Sequence, residues 1–509
     1  MREAQQTARP FYGDEAPISA LATPPGESAL ALIRCSGAGS LDLLAGIFSR
    51  PGALRAAGGH SIVHGWIRRG RCVRDSRDDR NGRNVQNDQN GASGDSALID
   101  EVLVSVYRAP GSYTGEEGAD IVCHGGAATV KAVLAALKTA GFREGLPGEF
   151  TFRAFINGKI DLTRSESVME LVKAKTDTGR EHAVGRLAGR LRGEIAALKQ
   201  RLVEALAETE LHLDYDEEEL GFSGEQAGLP GREMVEKALE RLRALADTWG
   251  GERLYQEGAL AVIAGRPNAG KSSLFNALLG EDRSIVTEIP GTTRDWIEAL
   301  VCIGGIPLRL ADTAGLRELA PAAEMDRAEE LGIRRSRELL DQADLVLYVV
   351  DGTEGIREED EAVFRAQAAL RRPLILLWNK ADLAPPASPG APVSPDSSVP
   401  PGFSAPLPVS AKTGEGLGEL CRAIEEALGR GLPGRRAGET GLGSERQKEL
   451  VDRSCAALEG ALELADRGEP LELAAPLLRD AVNALGEITG EVSTADILET
   501  IFSKFCVGK

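Results

Sequence analysis

LAVIAGRPNAGKSSLFNALLG, residues 260–280, contains a strand, a glycine-rich turn and a helix in one line of sequence. From Gly265 to Ser272 it fits G-x-x-x-x-G-K-[ST]. The apolar run before the pattern and the amphipathic run after it supply the context that a phosphate-binding loop requires. In such a loop the backbone N–H groups of Asn268, Ala269, Gly270, Lys271, Ser272 and Ser273 converge on phosphate oxygens at a helix N-terminus. Lys271 reaches the β and γ oxygens, and the Ser272 hydroxyl is a ligand for Mg²⁺.

The segments downstream come in the order that a GTPase needs. TEIPGTTRD (287–295) supplies Thr293 as a candidate second Mg²⁺ ligand and γ-phosphate sensor. Thr287, Glu288, Ile289, Pro290, Gly291 and Thr292 beside it are expected to bind the nucleotide as well. Lys271 and Thr293 are thereby candidate catalytic groups. In LRLADTAGLREL (308–319), Asp312 closes a strand where a metal-side carboxylate is needed. Thr313, Ala314 and Gly315 follow, and the glycine lets its N–H approach the γ-phosphate closely. LILLWNKADL (374–383) selects the base with Asn379, Lys380, Ala381 and Asp382. The Asp382 carboxylate can accept from guanine N1–H and N2–H₂ together, whereas adenine would leave it unpaired, a distinction that reaches about 10⁴–10⁵ in such sites. LPVSAKTGEG (407–416) adds Ser410, Ala411 and Lys412 beside the base. GTP with Mg²⁺ is therefore the expected substrate. One position breaks the pattern: Leu316 stands where Ras-type GTPases carry a water-orienting Gln.

Around this centre, residues 258–430 alternate strand and helix patterns, which predicts a mostly parallel α/β sheet. Residues 161–215 and 445–505 are helical by their 3–4 apolar spacing, and each block has an apolar face to bury. Packing them on each other, with the α/β part inserted between, is the economical solution; two separate helical domains are the alternative. Residues 210–250 read as an acidic linker joining helices. Residues 1–155 mix β-like runs (SALALIRCSG, ALIDEVLVSVYRAP, ADIVCHGG) with a helical stretch, AATVKAVLAALKTAG. RDSRDDRNGRNVQNDQNGASGDS (74–96) is a polar low-complexity insertion, expected to be disordered, and 386–408 is a Pro/Ser-rich loop.

The chain has 509 residues, enough for two to four domains. A net charge of −19 repels nucleic acid and membrane surfaces, so any RNA contact needs a local basic patch or a partner. Seven scattered cysteines without a C-x-x-C pair argue for a reducing compartment and against a disulfide framework or zinc site. MREAQQTARP lacks the apolar core of a secretory leader, and the longest apolar runs are strand-sized, so cytoplasmic residence without a membrane span is the expectation. Five isolated histidines offer no metal-ligand spacing.

ATPPGESALALIRCSG (22–37), SYTGEEGADIVCHGG (112–126), PGEFTFRAFINGKIDLTRSE (147–166) and EITGEVSTADILETIFSKFCVGK (487–509), together with the GTPase segments, make the chain resemble the MnmE (TrmE) family of tRNA uridine 5-carboxymethylaminomethyl modification GTPases. The resemblance implies an α/β multidomain architecture. Residues 1–158 would be an α+β tetrahydrofolate-binding and dimerisation domain, in which His124 is a candidate lining residue. Residues 159–256 and 433–509 would form a helical domain, and 257–432 an inserted Ras-like P-loop GTPase domain. It further implies a cytoplasmic homodimer that pairs its GTPase domains on GTP and assembles with the FAD-dependent MnmG in a heterotetramer. The pair would modify the wobble uridine of certain tRNAs, with the carbon unit drawn from 5-formyl- or methylene-tetrahydrofolate.

The resemblance also supplies an answer to Leu316. Family members use K⁺ near the phosphates, at positions matching Asn268, Thr287, Ile289 and Thr292, and a Glu further along positions the attacking water. Counted back from LGIRRSR that Glu is Glu329; counted forward from DTAG it is Glu324. The intervening RELAPAAEMDRAEELG is longer than the family pattern, and spacing to the helix favours Glu329. For folate the matching positions are Arg34, Asp120, Lys159 and the terminal Lys509. The family usually carries Glu where this chain has Asp120, and Glu117 is a nearby substitute. Cys506, in FCVGK, would sit near the one-carbon chemistry or serve as a small packing residue. The alternative to the whole reading is a ribosome-assembly or RNA-binding GTPase switch without modification chemistry. Such proteins carry a basic RNA-binding module after the GTPase part, where this chain is acidic and helical. A third reading is a catalytically idle scaffold for MnmG.

Overall fold

The computed structural model describes residues 15–69, 98–214, 229–280, 298–312, 339–369, 373–383, 405–429 and 440–509. The insertion expected at 74–96 lies outside them, as does most of 386–408. The chain divides into two compact units, one of residues 1–169 and 482–509, the other of 170–481.

In the first unit, strands β1 (Ile18–Leu21), β2 (Ser28–Ser36), β3 (Ser61–Arg68), β4 (Leu98–Tyr107), β5 (Gly118–Gly125) and β6 (Arg143–Glu144) form a sheet of order β3-β4-β5-β2-β1-β6. Every pairing is antiparallel except β1 with β6. β4 shows why these runs become strands: Val102, Val104 and Val106 are buried while Glu101 and Leu103 face solvent, the alternation of a sheet covered on one side. The covering helices are α1 (Ser40–Ile47), α2 (Pro51–Ala56) and α3 (Ala127–Ala140), which place Leu44, Leu54, Val133 and Leu137 on Ile33, Val104 and Ile121.

Helix α4 (Glu149–Ile156) is buried along nearly all its length, so it has no polar face. With α5 (Leu162–Lys173) and α15 (Ala495–Phe502) it encloses Phe152, Phe155, Leu162, Phe502 and Phe505. Its first residue, Glu149, is fully buried and paired. Arg143 Nη1 donates to it at 3.0 Å, Arg153 Nη2 at 2.9 Å and the Leu146 N–H at 2.9 Å. Arg153 also meets Glu116 at 3.2 Å, which accepts from Ser36 Oγ at 2.8 Å. A buried charge is tolerated only when paired and hydrogen-bonded, and this network ties α4 to the loop before β5.

The second unit holds α6 (Asp177–Leu187), α7 (Arg190–Asp214), α8 (Arg232–Asp247), α9 (Trp249–Glu257), α13 (Glu445–Asp466) and most of α14 (Leu471–Thr489). α8 packs on both α7 and α13 and so joins the two helical blocks. Much of the stretch read as an acidic linker is α8, with Val235, Leu239, Leu242 and Leu245 buried at 3–4 spacing. Buried Arg186 of α6 donates to Glu170 at 2.7 Å, to Glu252 at 2.6 Å and to the Gly441 carbonyl at 3.4 Å. The Leu442 N–H donates to Thr248 Oγ1 at 3.2 Å. The chain therefore leaves the helices through α9 and rejoins them at 441–443 beside the same residues.

Between those two points lies the second sheet: β7 (Ala259–Gly265), β8 (Glu298–Ile303), β9 (Ile306–Asp312), β10 (Leu345–Asp351), β11 (Leu374–Asn379) and β12 (Leu407–Pro408), in order β12-β11-β10-β7-β9-β8. It is parallel apart from β8 against β9. β10 is buried at every residue, as a central parallel strand covered on both faces must be. Helices α10 (Lys271–Leu278), α11 (Glu358–Ala369) and α12 (Leu417–Gly429) complete the described part. No described helix is long and apolar enough to cross a membrane.

Candidate functional site

The carboxyl ends of β7, β9, β10 and β11 open onto one crevice, where parallel α/β sheets bind ligands. Gly265 and Gly270 shape its phosphate loop, with φ of +144° and +94°. A Cβ on Gly265 would lie 2.3 Å from the Val349 carbonyl, and one on Gly270 2.1 Å from Asn379 Nδ2. Only glycine passes at either point. Pro267 and Asn268 form the exposed crest, and Asn268 is itself left-handed, with φ of 61°. Lys271 Nζ is folded back on the loop, donating to the carbonyls of Gly265 at 3.0 Å and Arg266 at 2.8 Å. Ser272 Oγ donates to Asp312 Oδ2 at 2.8 Å. A hydroxyl and a carboxylate converging there form the oxygen set that a hard divalent cation takes.

On β11, Asn379 does not face outward. It is buried, and it bridges two loops: Nδ2 donates to the Ala269 carbonyl at 2.8 Å, and Oδ1 accepts from the Ala411 N–H at 3.1 Å. Asp382 is exposed, with Oδ1 accepting from Ser410 Oγ at 2.8 Å. The Ala381 N–H donates to the Val409 carbonyl at 3.1 Å, which sets the Ser410–Lys412 turn beside Asp382. Lys380, at φ 63°, donates to Asp351 Oδ2 at 2.6 Å. Burial pushes the Asp351 carboxyl up, but the donors Lys380 and Thr353 outweigh it and hold its pKa below the ordinary value.

The structure thus brings Asn268 to Ser273, Asp312, Asn379 to Asp382 and Ser410 to Lys412 to one crevice. Thr287 to Thr293, Thr313 to Leu316, Glu324 and Glu329 lie outside the described residues. Sequence reasoning missed two members, Asp351 and Arg266. The signal for Asp351 was an acid ending LVLYVVD in the manner of Asp312; Arg266 left none, because its partners follow the neighbouring strand β10, 88 residues and more along the chain.

A second cluster lies in the first unit. Strand register sets Arg34 opposite Asp120. Arg34 Nε donates to Asp120 Oδ1 at 3.0 Å, and its Nη1 lies 3.5 Å from the Gly508 carbonyl. The guanidinium stands 5.8 Å from the Tyr113 ring centre. Tyr107 donates to Asp120 at 3.4 Å, and Tyr113 exchanges a hydrogen bond with Thr151 at 3.0 Å. Burial raises the pKa of both phenols, and for Tyr107 the Asp120 charge adds to it. Lys159 donates to the Pro110 carbonyl at 2.9 Å, on the loop that carries Tyr113. Glu117 is held by Arg108 at 2.8 Å. His124 faces solvent and meets Asp100 at 2.7 Å. The Lys509 N–H donates to the Cys506 carbonyl at 3.3 Å, and Cys506 is exposed. An acid, a guanidinium and two phenols beside the C-terminus suit a flat heterocycle with an anionic tail.

Residues 17–159 match the model of the family described as GTP-binding protein TrmE N-terminus, and residues 162–506 that described as MnmE helical domain. The tRNA modification GTPase MnmE of Treponema denticola is 39% identical over 498 residues, covering 97% of this chain and 98% of that one. The protein of the same name from Symbiobacterium thermophilum is 39% identical over 500 residues, covering 97% and 100%. Among solved structures, that of Aquifex aeolicus Era bound to GDP and AlF₄⁻ is 28% identical, covering 39% of this chain and 66% of that one with a TM-score of 0.26.

Proposed function

Because this chain belongs to the MnmE family of tRNA modification GTPases, we propose that it hydrolyses GTP to drive modification of the wobble uridine of tRNA. The observation that carries the reading is Asn379, which joins the phosphate loop to the base-reading turn within a chain that matches such GTPases over 97% of its length.

Lys271, released from the carbonyls of 265 and 266, pairs with the β and γ oxygens of GTP. Ser272 and Thr293 would ligate Mg²⁺, and Asp312 would orient the Ser272 hydroxyl toward it, a role that their 2.8 Å contact supports. Asp382, steadied by Ser410, accepts from the guanine edge. The exposed crest position of Asn268 supports the K⁺ site, which Thr287, Ile289 and Thr292 complete. When bound, that ion would supply positive charge against the negative charge that develops on the phosphates. Leu316 cannot orient the water, so Glu329 does so, with Glu324 the second choice. In the first unit, Arg34, Asp120, Lys159 and Lys509 hold a 5-formyl- or methylene-tetrahydrofolate. Asp120 accepts from the aminopyrimidine edge, and the cations attract the glutamyl carboxylates. The same reading makes the protein a cytoplasmic homodimer, paired through residues 1–158 and partnered with MnmG to add the carboxymethylaminomethyl group.

The test is nucleoside mass spectrometry of tRNA from a strain lacking the native protein. Cells supplied with this chain should regain the modified wobble uridine, and cells supplied with the Lys271→Ala variant should not. Normal modification in the empty deletion strain would reject the assignment.

A further inference from the structure

Arg266, the residue after the first glycine of the phosphate loop, is held by three acceptors. Its Nη1 lies 2.9 Å from Glu354 Oε2, its Nη2 donates to the Gly355 carbonyl at 2.6 Å, and its Nε lies 3.2 Å from Asp360 Oδ2. The side chain is 10% exposed and that of Asp360 1%. Asp360 is itself fixed, accepting from the Tyr348 hydroxyl at 2.6 Å and the Arg357 N–H at 2.8 Å. The main chain of Arg266 faces the other way. Its carbonyl accepts from the Ala269 N–H at 3.3 Å, which closes the loop's turn, and from Lys271 Nζ at 2.8 Å. The turn at 351–355 that grips Arg266 also receives Lys380, through Asp351. One five-residue turn therefore holds the start of the phosphate loop and the base-reading segment together, while Asn379 holds the loop's other end.

We propose that Arg266 is a positioning residue of the nucleotide site: its guanidinium fixes the phosphate loop on the 351–355 turn, so that the loop's N–H groups already converge before phosphate arrives. The inference rests on the GTP reading above and adds a residue whose side chain is turned to the 351–355 turn and Asp360. Preorganisation of this kind raises affinity by removing the ordering cost from the binding step. The gain falls on phosphates, not on the base, because Asp382 is held by Ser410 and Ala381 by Val409, contacts in which Arg266 takes no part.

The experiment uses the full chain with fluorescent mant-GDP and mant-GTP, guanosine as a phosphate-free competitor, and thermal unfolding without nucleotide. Arg266→Ala should weaken mant-GDP and mant-GTP by the same factor, about 10- to 100-fold, the range for losing one or two charge-assisted hydrogen bonds. Guanosine competition should stay at the native level. Arg365→Ala, which removes an exposed pair with Glu361 on the same helix, should change none of these values. Where Arg266→Ala does not fold, Asp360→Asn keeps the side chain's shape while removing its charge, and should show the same pattern at smaller amplitude. Unchanged mant-GDP affinity in the folded variant, or equal loss of guanosine and mant-GDP, would overturn the proposal. A native chain that binds no mant-GDP would overturn the nucleotide reading and this inference with it.

Discussion

Replacing Asn379 with Ala removes both hydrogen bonds that hold the phosphate loop and the Ser410–Lys412 turn to β11. Asn379 is 2% exposed, so bulk water does not reach them in the native chain. The Ala269 carbonyl and the Ala411 N–H are left without that partner, at about 1–3 kcal/mol each, for a loss near 4 kcal/mol. For a domain of this size each kcal/mol moves the midpoint by about 2–4 °C, so the GTPase transition should fall by roughly 10 °C in calorimetry of the nucleotide-free chain. Affinity for mant-GDP should fall as well, since binding must then reorder two loops. Asn379→Asp sharpens the test. The new carboxylate still accepts from Ala411, but its other oxygen faces the Ala269 carbonyl, where a donor stood at 2.8 Å. Its folded pKa is raised above the ordinary value of about 4 by burial and by that oxygen. The raised pKa fixes the sign: the protonated form, which donates to Ala269, stabilises at low pH, and that stability is lost as pH rises through the folded pKa. The Asp variant should therefore be less stable than the Ala variant at pH 8, and the gap should close on acidification. A native transition temperature and native affinity in Asn379→Ala would refute the bridging role.

Four other outcomes are expected. Asp382→Asn should lose GTP and gain xanthosine triphosphate, because an amide donor fits the keto group at C2; an unchanged GTP preference removes Asp382 from the base site. Hydrolysis should run faster in K⁺ than in Na⁺, and in K⁺ Glu329→Ala should slow single turnover by about 10²–10⁴-fold while Glu324→Ala changes it little. The reverse pattern moves the water-positioning role to Glu324. Arg34→Ala should weaken 5-formyltetrahydrofolate in calorimetric titration, and undiminished affinity would put the folate site elsewhere.

The GTPase crevice was legible because its groups sit on short local patterns, each a strand followed by a turn whose residues need particular backbone shapes. What the patterns hid were partners far apart in sequence. Asn379 reads as a base-reading residue, and the sequence gives no sign that one N–H and one lone pair of its amide also bond Ala269 and Ala411, in loops that only the sheet brings near. Family resemblance put Arg34 and Asp120 in one pocket, but their pairing with each other comes from the register of β2 on β5, which no periodicity reveals. Helix α4 escaped periodicity for a different reason. Its neighbours bury Phe150, Phe152 and Phe155 alike, so no polar stripe marks its outer side. Val235 to Leu245 carried a clear helical repeat, obscured by the acidic stretch before it.

The shared contacts of Arg186 with Glu252 and the Gly441 carbonyl have a consequence in polymer terms. Everything from residue 258 to residue 440 is one excursion whose two ends are already tied side by side. The entropy of closing it is met by the helices, and doubling such a loop adds only ~0.6 kcal/mol. Added length within the excursion, such as the Pro/Ser-rich stretch at 386–408, therefore costs the helical scaffold little.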